Sequence, residues 1–310
     1  PSCPPGARWS RRCQTGSARL PVRYKRAWMA LAALLAALLA VAPAVYADQA
    51  LTSRVVVAGG GLTATLYALG VADRIVAVDS TSRWPPAARE KPQIGYMRAL
   101  SAEGVLSMSP TLVLTTDEGG PARVLELIEA TGVPVRQLPA PRSAQDVRRT
   151  IRSLAKLLDQ EQRGQALIRQ LNDALARARA VVAQYDRHPR VLFILSAGGQ
   201  LLAAGRDTAA HAIIQLAGGA NVADYGGYKP LTPEAAVALA PDVILTGDHV
   251  IQALGSRQAL LSQPALALTP AGREGRLVVM DSLRLLGFGP RLGETVALLA
   301  KHLHQQPNAP

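Results

Sequence analysis

The chain repeats one pattern of residues in its two halves. The segment SAEGVLSMSPTLVL, residues 101–114, aligns without a gap with TPEAAVALAPDVIL, residues 232–245. In both copies a glutamate lies near the start of an amphipathic stretch, a proline ends that stretch, and an aliphatic run follows. Proline stops a helix, and a continuous aliphatic run is typical of a buried parallel strand. The repeat therefore predicts two similar α/β lobes.

Each repeat is preceded by a second common pattern, in which a β-branched run leads into glycines and then into a helical stretch. Arg54–Ala58 begins this pattern in the first half, and Arg190–Leu195 begins it in the second, where Gly198–Gly199 follows the run. Strand, glycine loop and helix in this order are typical of parallel α/β units. The predicted fold class is therefore α/β, with two Rossmann-like lobes at residues 48–142 and 189–310.

The segment between the lobes, residues 143–188, has the composition of a helix. It has no proline and one glycine, Gly164, and Ser143 with Asp146 forms a capping-box start. At 1.5 Å per residue, one helix of this length would span about 60 Å. We expect one long helix joining the lobes, with a ligand cleft between them, because open α/β sheets bind ligands at the carboxyl ends of their strands.

The first 47 residues have the features of an export signal. Arg23, Lys25 and Arg26 precede an apolar run, residues 27–45, and small residues at positions −3 and −1, Val45 and Ala47, fit a signal-peptidase site. A cut after Ala47 is predicted, and with it a periplasmic location. No cysteine follows the apolar run, so no lipoprotein anchor is expected at this site.

The net charge of the chain comes mostly from this leader. Seven of the 34 basic residues and none of the 22 acidic residues lie in 1–47, so a formal charge of +12 becomes 27 minus 22, or +5, for the rest. A nucleic-acid partner is therefore not predicted, because it would require a concentrated basic surface.

The stretch GYMRALSAEG, residues 95–104, places Tyr96 two positions before Arg98 in a loop expected to face the cleft. A positive helix end and a nearby guanidinium both favour a phenolate over a phenol. A phenolate is a hard oxygen ligand, and tyrosine is a known axial ligand of haem iron. By spacing alone, a tyrosine that packs its ring and hydrogen-bonds a backbone carbonyl is the favoured interpretation, and residue chemistry by itself does not decide between the two.

Four segments together resemble one family. GYMRALSAEGVLSMSPTLVL, AAGRDTAAHAIIQLAGGANV, YKPLTPEAAVALAPDVIL and LLGFGPR are similar to the haemin-binding periplasmic proteins of bacterial haem ABC importers. The resemblance implies that Tyr96 is the haem-iron ligand and that Arg98 supports the bound haem. It also implies that Glu103 and Glu234 contact basic residues of the two permease subunits. Two solvated glutamates that stabilise their helix starts remain the alternative.

The second lobe offers further candidates for contact with haem. Tyr228 precedes Glu234 much as Tyr96 precedes Glu103, and His249 follows the aliphatic run of the second repeat. We expect Tyr228 and His249 to support haem, with a solvated loop histidine as the alternative for His249. Arg206 and Arg291 are expected either to reach the haem propionates or to brace loops.

The predicted function is that of a monomeric periplasmic carrier that delivers haem, its transported ligand, to an inner-membrane ABC permease dimer with its ATPase. A ferric-siderophore or cobalamin carrier of the same fold is the alternative, and an exported α/β enzyme is a weaker one. GGGLTATL lacks the third spaced glycine of a dinucleotide fingerprint, Ser196 lacks a nucleophile-elbow context, and the histidines do not follow zinc spacing. No enzymatic activity is therefore predicted.

Overall fold

The structure is a computed structural model that describes residues 52–304, so the predicted leader and its cleavage site lie outside the described residues. The first lobe is built on four parallel strands in the order β2-β1-β3-β4. These are β1 (Val55–Ala58), β2 (Ile75–Val78), β3 (Leu112–Thr116) and β4 (Val135–Leu138). The helices are α1 (Gly60–Ala68), α2 (Ala102–Leu106) and α3 (Ala122–Ala130), with 3-10 helices at Ala72–Arg74 and Pro86–Glu90.

The central strands of this sheet are buried on both faces. All four residues of β1 are fully buried, because one face packs against α1 and the helices that follow the lobe, while the other packs against residues around α2 and α3. This explains the unbroken aliphatic run at Val55–Ala58, which is typical of a strand covered on two sides.

The segment predicted to be one long helix is two helices, α4 (Ala144–Leu157) and α5 (Glu161–Val182). Asp159 has φ 54°, a left-handed conformation that short polar side chains tolerate and that ends a right-handed helix. The two helices run side by side in opposite directions, since Arg148 Nε donates to Asn172 Oδ1 at 2.7 Å. The predicted start is confirmed, because the Ser143 hydroxyl accepts from the Asp146 backbone N–H at 3.1 Å.

The second lobe has a mixed sheet in the order β10-β9-β5-β6-β8, with β7 also paired to β5. The strands are β5 (Arg190–Ala197), β6 (Gln200–Ala204), β7 (Ala220–Asn221), β8 (Tyr228–Pro230), β9 (Val243–Gly247) and β10 (Leu277–Met280). The helices are α6 (Ala209–Leu216), α7 (Pro233–Leu239), α8 (Asp248–Leu254), α9 (Arg257–Leu261), α10 (Pro264–Ala267), α11 (Pro270–Arg273), α12 (Ser282–Leu286) and α13 (Leu292–His304).

The start of this lobe does not copy the first. Gly198 and Gly199 have φ 57° and 79° and form the turn of an antiparallel hairpin between β5 and β6. Two consecutive residues with positive φ match the tight turn of a two-residue hairpin, and glycine adopts them without steric cost. The glycine pair therefore inserts a strand where a strand-to-helix loop was predicted. The later elements, α7 and β9, confirm the repeat.

One apolar core connects the two lobes. It contains Leu66 of α1, Leu171 of α5, Phe193 of β5 and Leu303 of α13, all at most 1% exposed. Gly293 allows α13 to cross α5 closely, because a Cβ there would lie 2.5 Å from the Ala174 carbonyl carbon. The two-lobed α/β prediction is confirmed, and α5 with α13 forms the support on which both lobes rest. Among residues 52–304, no helix is both long enough and apolar enough to cross a membrane.

Candidate ligand-binding site

The loop that carries Tyr96 is fixed at both ends by apolar anchors. Ile94 and Leu100 are buried, while the Tyr96 side chain between them is 45% exposed. The loop also bonds to its neighbours, since the Met97 carbonyl accepts from the Gly120 N–H at 2.9 Å. Tyr96 was predicted to lie at a helix entrance, but α2 begins only at Ala102. The hydroxyl that caps this helix belongs to Ser101, which accepts from Gly104 N–H at 3.3 Å.

Arg98 is shared between two oxygen partners. Its Nη1 lies 3.5 Å from the Tyr96 hydroxyl oxygen, and its Nη2 forms an ion pair with Glu118. Arg142 approaches the same carboxylate, with its Nη2 3.5 Å from Glu118 Oε1. Burial lowers the pKa of Arg98, and the hydrogen bond and charge of Glu118 together with Tyr96 raise it, with a net rise above the ordinary value. Arg98 is therefore held in place as a cation beside Tyr96.

Tyr228 lies near this group although it comes from the other lobe. Partial burial raises the pKa of Tyr228, the Glu118 carboxylate raises it further, and the Arg98 and Arg142 guanidinium groups act in the opposite direction. Its side chain is still 41% exposed. Two exposed phenols, Tyr96 and Tyr228, one from each lobe, therefore both lie near the Arg98 guanidinium.

His249 is fixed by a chain of hydrogen bonds at the carboxyl ends of β9 and β10. The Ser282 hydroxyl donates to Asp248 Oδ1 at 2.6 Å, so His249 Nδ1, at 2.5 Å from the same hydroxyl, must be the donor to it. The imidazole lone pair is then on Nε2. Burial lowers the pKa of His249 and the nearby Asp248 opposes this, with a net lowering that favours the neutral ring.

Arg206 and Arg291 have partners that brace loops. Arg206 Nη1 lies 3.1 Å from Asp224 Oδ1 within the second lobe. The Arg291 guanidinium lies 3.8 Å from the centre of the Trp84 ring, which belongs to the first lobe. This cation–π contact links the lobes across the cleft. Both arginines therefore have partners within the protein, and contact of either with the haem propionates stays a prediction.

Glu103 and Glu234 occupy equivalent positions in the two lobes. Each is exposed and lies in the first turn of its helix, α2 or α7. Hydrogen bonds from its own backbone N–H and from the Thr232 hydroxyl lower the pKa of Glu234, so it carries a negative charge at neutral pH. The lobes thus each present an exposed acid at the same place in the repeat.

Three residues that make these contacts belong to no motif that can be identified in the sequence: Glu118, Ser282 and Trp84. Each meets its partner through the fold, since Glu118 is 20 positions from Arg98 and Ser282 is 33 positions from His249. Within residues 52–304, no group of three or more His, Cys, Asp or Glu side chains is arranged to hold a metal ion.

Two α/β lobes on a common helical support, with exposed phenols and arginines gathered between them, define a two-lobed solute-binding protein. The chain belongs to the periplasmic binding protein family, whose sequence pattern matches residues 55–283.

Solved structures of two haem proteins are similar to this chain. The periplasmic heme-binding protein RhuT from Roseiflexus sp. RS-1, in apo form, is 39% identical with a TM-score of 0.79, over 82% of this chain and 98% of that one. The periplasmic heme-binding protein BhuT, in complex with two hemes, is 43% identical with a TM-score of 0.76, over 81% and 97%. Among curated proteins, a vitamin B12-binding protein of Vibrio parahaemolyticus is 25% identical over 61% of this chain and 68% of its own length.

Proposed function

We propose that this protein is an exported, monomeric carrier that binds haem between its lobes and delivers it to an inner-membrane ABC importer. The observation that carries this proposal is the pair of exposed phenols, Tyr96 and Tyr228, around the Arg98 cation. The likeness to two periplasmic haem-binding proteins, at 39% and 43% identity over about four fifths of the chain, supports it.

Tyr96 is the proposed iron ligand. A phenolate oxygen suits ferric iron, and the nearby Arg98 stabilises the anionic form that coordination requires. Because Tyr96 is anchored by buried residues yet 45% exposed, its oxygen is accessible to a flat ligand entering from the cleft. Tyr228 and His249 are proposed to contact the haem from the second lobe.

We propose a carrier and not an enzyme, and the hydrogen bonds of His249 support this. In a catalytic triad the histidine lies between the serine and the acid, and takes the serine proton through Nε2. Here Ser282 lies between Asp248 and His249, and its hydroxyl donates to the carboxylate. The serine proton therefore points toward the acid, which leaves the histidine unable to activate the serine as a nucleophile.

A vitamin B12 carrier is the second candidate, favoured by the similarity to the Vibrio protein. Cobalamin brings its cobalt with a lower ligand of its own and does not need a protein phenolate. The exposed Tyr96 beside a cation is therefore the feature that favours haem.

Absorbance titrations of the purified protein with haemin and with cyanocobalamin would test this assignment. We expect saturable haemin binding with a ferric, tyrosinate-type spectrum, and loss of that spectrum in Tyr96→Phe. Tyr185→Phe is the matched control, because it removes a phenol whose ring stacks on His304 at 4.0 Å instead of facing the cleft. A spectrum unchanged in Tyr96→Phe would rule out Tyr96 as the ligand, and saturation by cyanocobalamin alone would favour the second candidate.

A further inference from the structure

A cavity lies between the lobes, beside the contact of Trp84 with Arg291. Its volume is about 190 Å³, and both lobes line it. The first lobe contributes the polar residues Thr81, Arg83 and Arg89 to its lining. The second lobe contributes Arg284, Arg291 and Thr295. The lining contains none of the proposed haem contacts Tyr96, Arg98, Tyr228 and His249. The cavity is therefore a separate feature of the cleft, which we call the arginine cavity.

The arginine cavity has an excess of positive charge. Four arginines line it and one carboxylate, that of Asp281, lies among them. In the described part of the chain, Arg83, Arg89 and Arg291 form no ion pair, and Arg284 Nη2 is 3.7 Å from its nearest acid, Glu294. Such a cluster of cations favours binding of an anion.

Arg284 has unused hydrogen-bonding capacity at this place. Its Nε is buried and has no hydrogen-bond partner among the described residues. Leaving a charged donor buried without an acceptor costs free energy, which would be recovered if a small shift of the side chain brought Nε to an acceptor in the cavity. A guanidinium edge binds two oxygens of a carboxylate or phosphate at once, so an oxyanion fits this need.

The cations are also held close to one another. Burial lowers the pKa of Arg291, and the charge of Arg284 lowers it further, while Glu294 and Asp281 act in the opposite direction. The contact with the Trp84 ring holds the Arg291 guanidinium in place. The repulsion between the two arginines is thus part of the folded state, and an anion between them would relieve it.

The size of the cavity limits the ligand. Pockets that hold drug-sized molecules measure about 300–1,000 Å³, so 190 Å³ is too small for a macrocycle. It is large enough for several water molecules at about 30 Å³ each, and hence for a small anion with its hydration. We propose that the arginine cavity binds a small oxyanion of the phosphate or carboxylate class, and that this anion links the two lobes. The proposal does not depend on the identity of the ligand in the main site.

Thermal unfolding of the haem-free protein, with inorganic phosphate replacing chloride at constant ionic strength, tests this proposal. A ligand that binds only the folded state raises the unfolding temperature with saturation. We expect such a rise, and an apparent Kd for phosphate about tenfold higher in Arg284→Gln, because one charged hydrogen-bonding partner is lost.

Arg83→Gln, at an exposed position, gives the same test if Arg284→Gln folds poorly. Arg149→Gln removes an arginine that pairs with Asp146 on α4, and is the control expected to bind phosphate normally.

Further measurements separate this proposal from that of haem binding. We expect Tyr96→Phe to keep the phosphate effect and Arg284→Gln to keep the haemin spectrum. Absence of a saturable phosphate effect, or an equal loss in Arg149→Gln, would overturn the anion site. Displacement of phosphate by haemin but not by haemin dimethyl ester would overturn its independence, because the cavity would then hold a haem propionate.

Discussion

Arg98 lies between a carboxylate and a phenol in the cleft. Glu118 pairs with it, and the Tyr96 oxygen lies 3.5 Å from its Nη1. Glu118 therefore offsets part of the charge that would stabilise a Tyr96 phenolate, and Arg142 in turn offsets part of Glu118. The proposed bond from Tyr96 to iron would therefore be supported by a cation whose charge is already partly compensated.

The lowered pKa of His249 makes part of the folding stability depend on pH. The unfolded chain takes up a proton on this ring near pH 6.5, whereas the folded protein does so only at lower pH. The stabilisation of the folded state that depends on a neutral His249 ring is therefore complete above about pH 6.5 and is lost as the pH falls. We predict that the free energy of unfolding drops less between pH 7 and pH 5 in His249→Gln than in the unaltered protein.

Urea denaturation at a series of pH values measures this difference. His302→Gln, on α13, is the control and should follow the unaltered protein. Parallel pH curves for His249→Gln and the unaltered protein would show that the ring does not titrate differently on folding.

The sequence predicts the residues of the cleft better than it predicts their partners. Tyr96 and Arg98 are two positions apart in the chain, so one short motif contains both. Glu118 contacts Arg98 because β3 ends beside the Tyr96 loop. Trp84 contacts Arg291 because the lobes meet across the cleft. Such pairs depend on tertiary geometry, which no local pattern of one sequence specifies.

At the scale of elements, the predictions are wrong where a single backbone conformation decides the outcome. Asp159 ends α4 by adopting φ 54°, and Gly198 with Gly199 turns β5 back into β6. Neither event changes the apolar periodicity on which helix and strand predictions rest. The repeated helix, proline and strand units were predictable because a proline and a buried aliphatic run mark their limits directly.

The crossing of α5 and α13 depends on Gly293. A Cβ at this position would lie 2.5 Å from the Ala174 carbonyl carbon and 2.6 Å from its Cβ. We predict that Gly293→Ala destabilises the fold by about 1–3 kcal/mol, since the two helices must move apart and open the shared core. The shift of the urea midpoint measures the effect.

Gly104→Ala is the matched control for this substitution. Gly104 also lies in a helix, but the nearest atom to an added Cβ is the Ser101 Cβ at 3.7 Å, an ordinary contact. Alanine stabilises a helix relative to glycine by about 0.5–1 kcal/mol. A destabilisation in Gly293→Ala no greater than in Gly104→Ala would mean that the crossing tolerates the methyl group.

For the molecule as a whole, one core limits the motion between the lobes. The cluster that contains Leu171 and Leu303 packs against strands of both lobes, and the lobes also touch directly, because a Cβ on Gly61 would lie 3.1 Å from the Phe288 carbonyl oxygen. Wide opening would expose apolar surface of this core to water. Ligand exchange is therefore expected to need only small changes at the cleft, such as breaking the Trp84–Arg291 contact.

A carrier with an exposed acid at the equivalent position of each lobe is suited to a permease with two similar subunits. We predict that Glu103→Gln and Glu234→Gln each weaken binding of the haem-loaded protein to the proposed importer in proteoliposomes by about two- to fivefold, the range expected for loss of one exposed ion pair. Haemin affinity should not change, because both side chains lie in first turns outside the set of cleft contacts. The double variant should lose more than either single one, and raised salt should shrink the differences. Glu126→Gln, an exposed acid on α3, is the control for charge alone. Equal weakening by Glu126→Gln would contradict docking through the repeated pair, since the effect would then follow net charge and not the two equivalent positions.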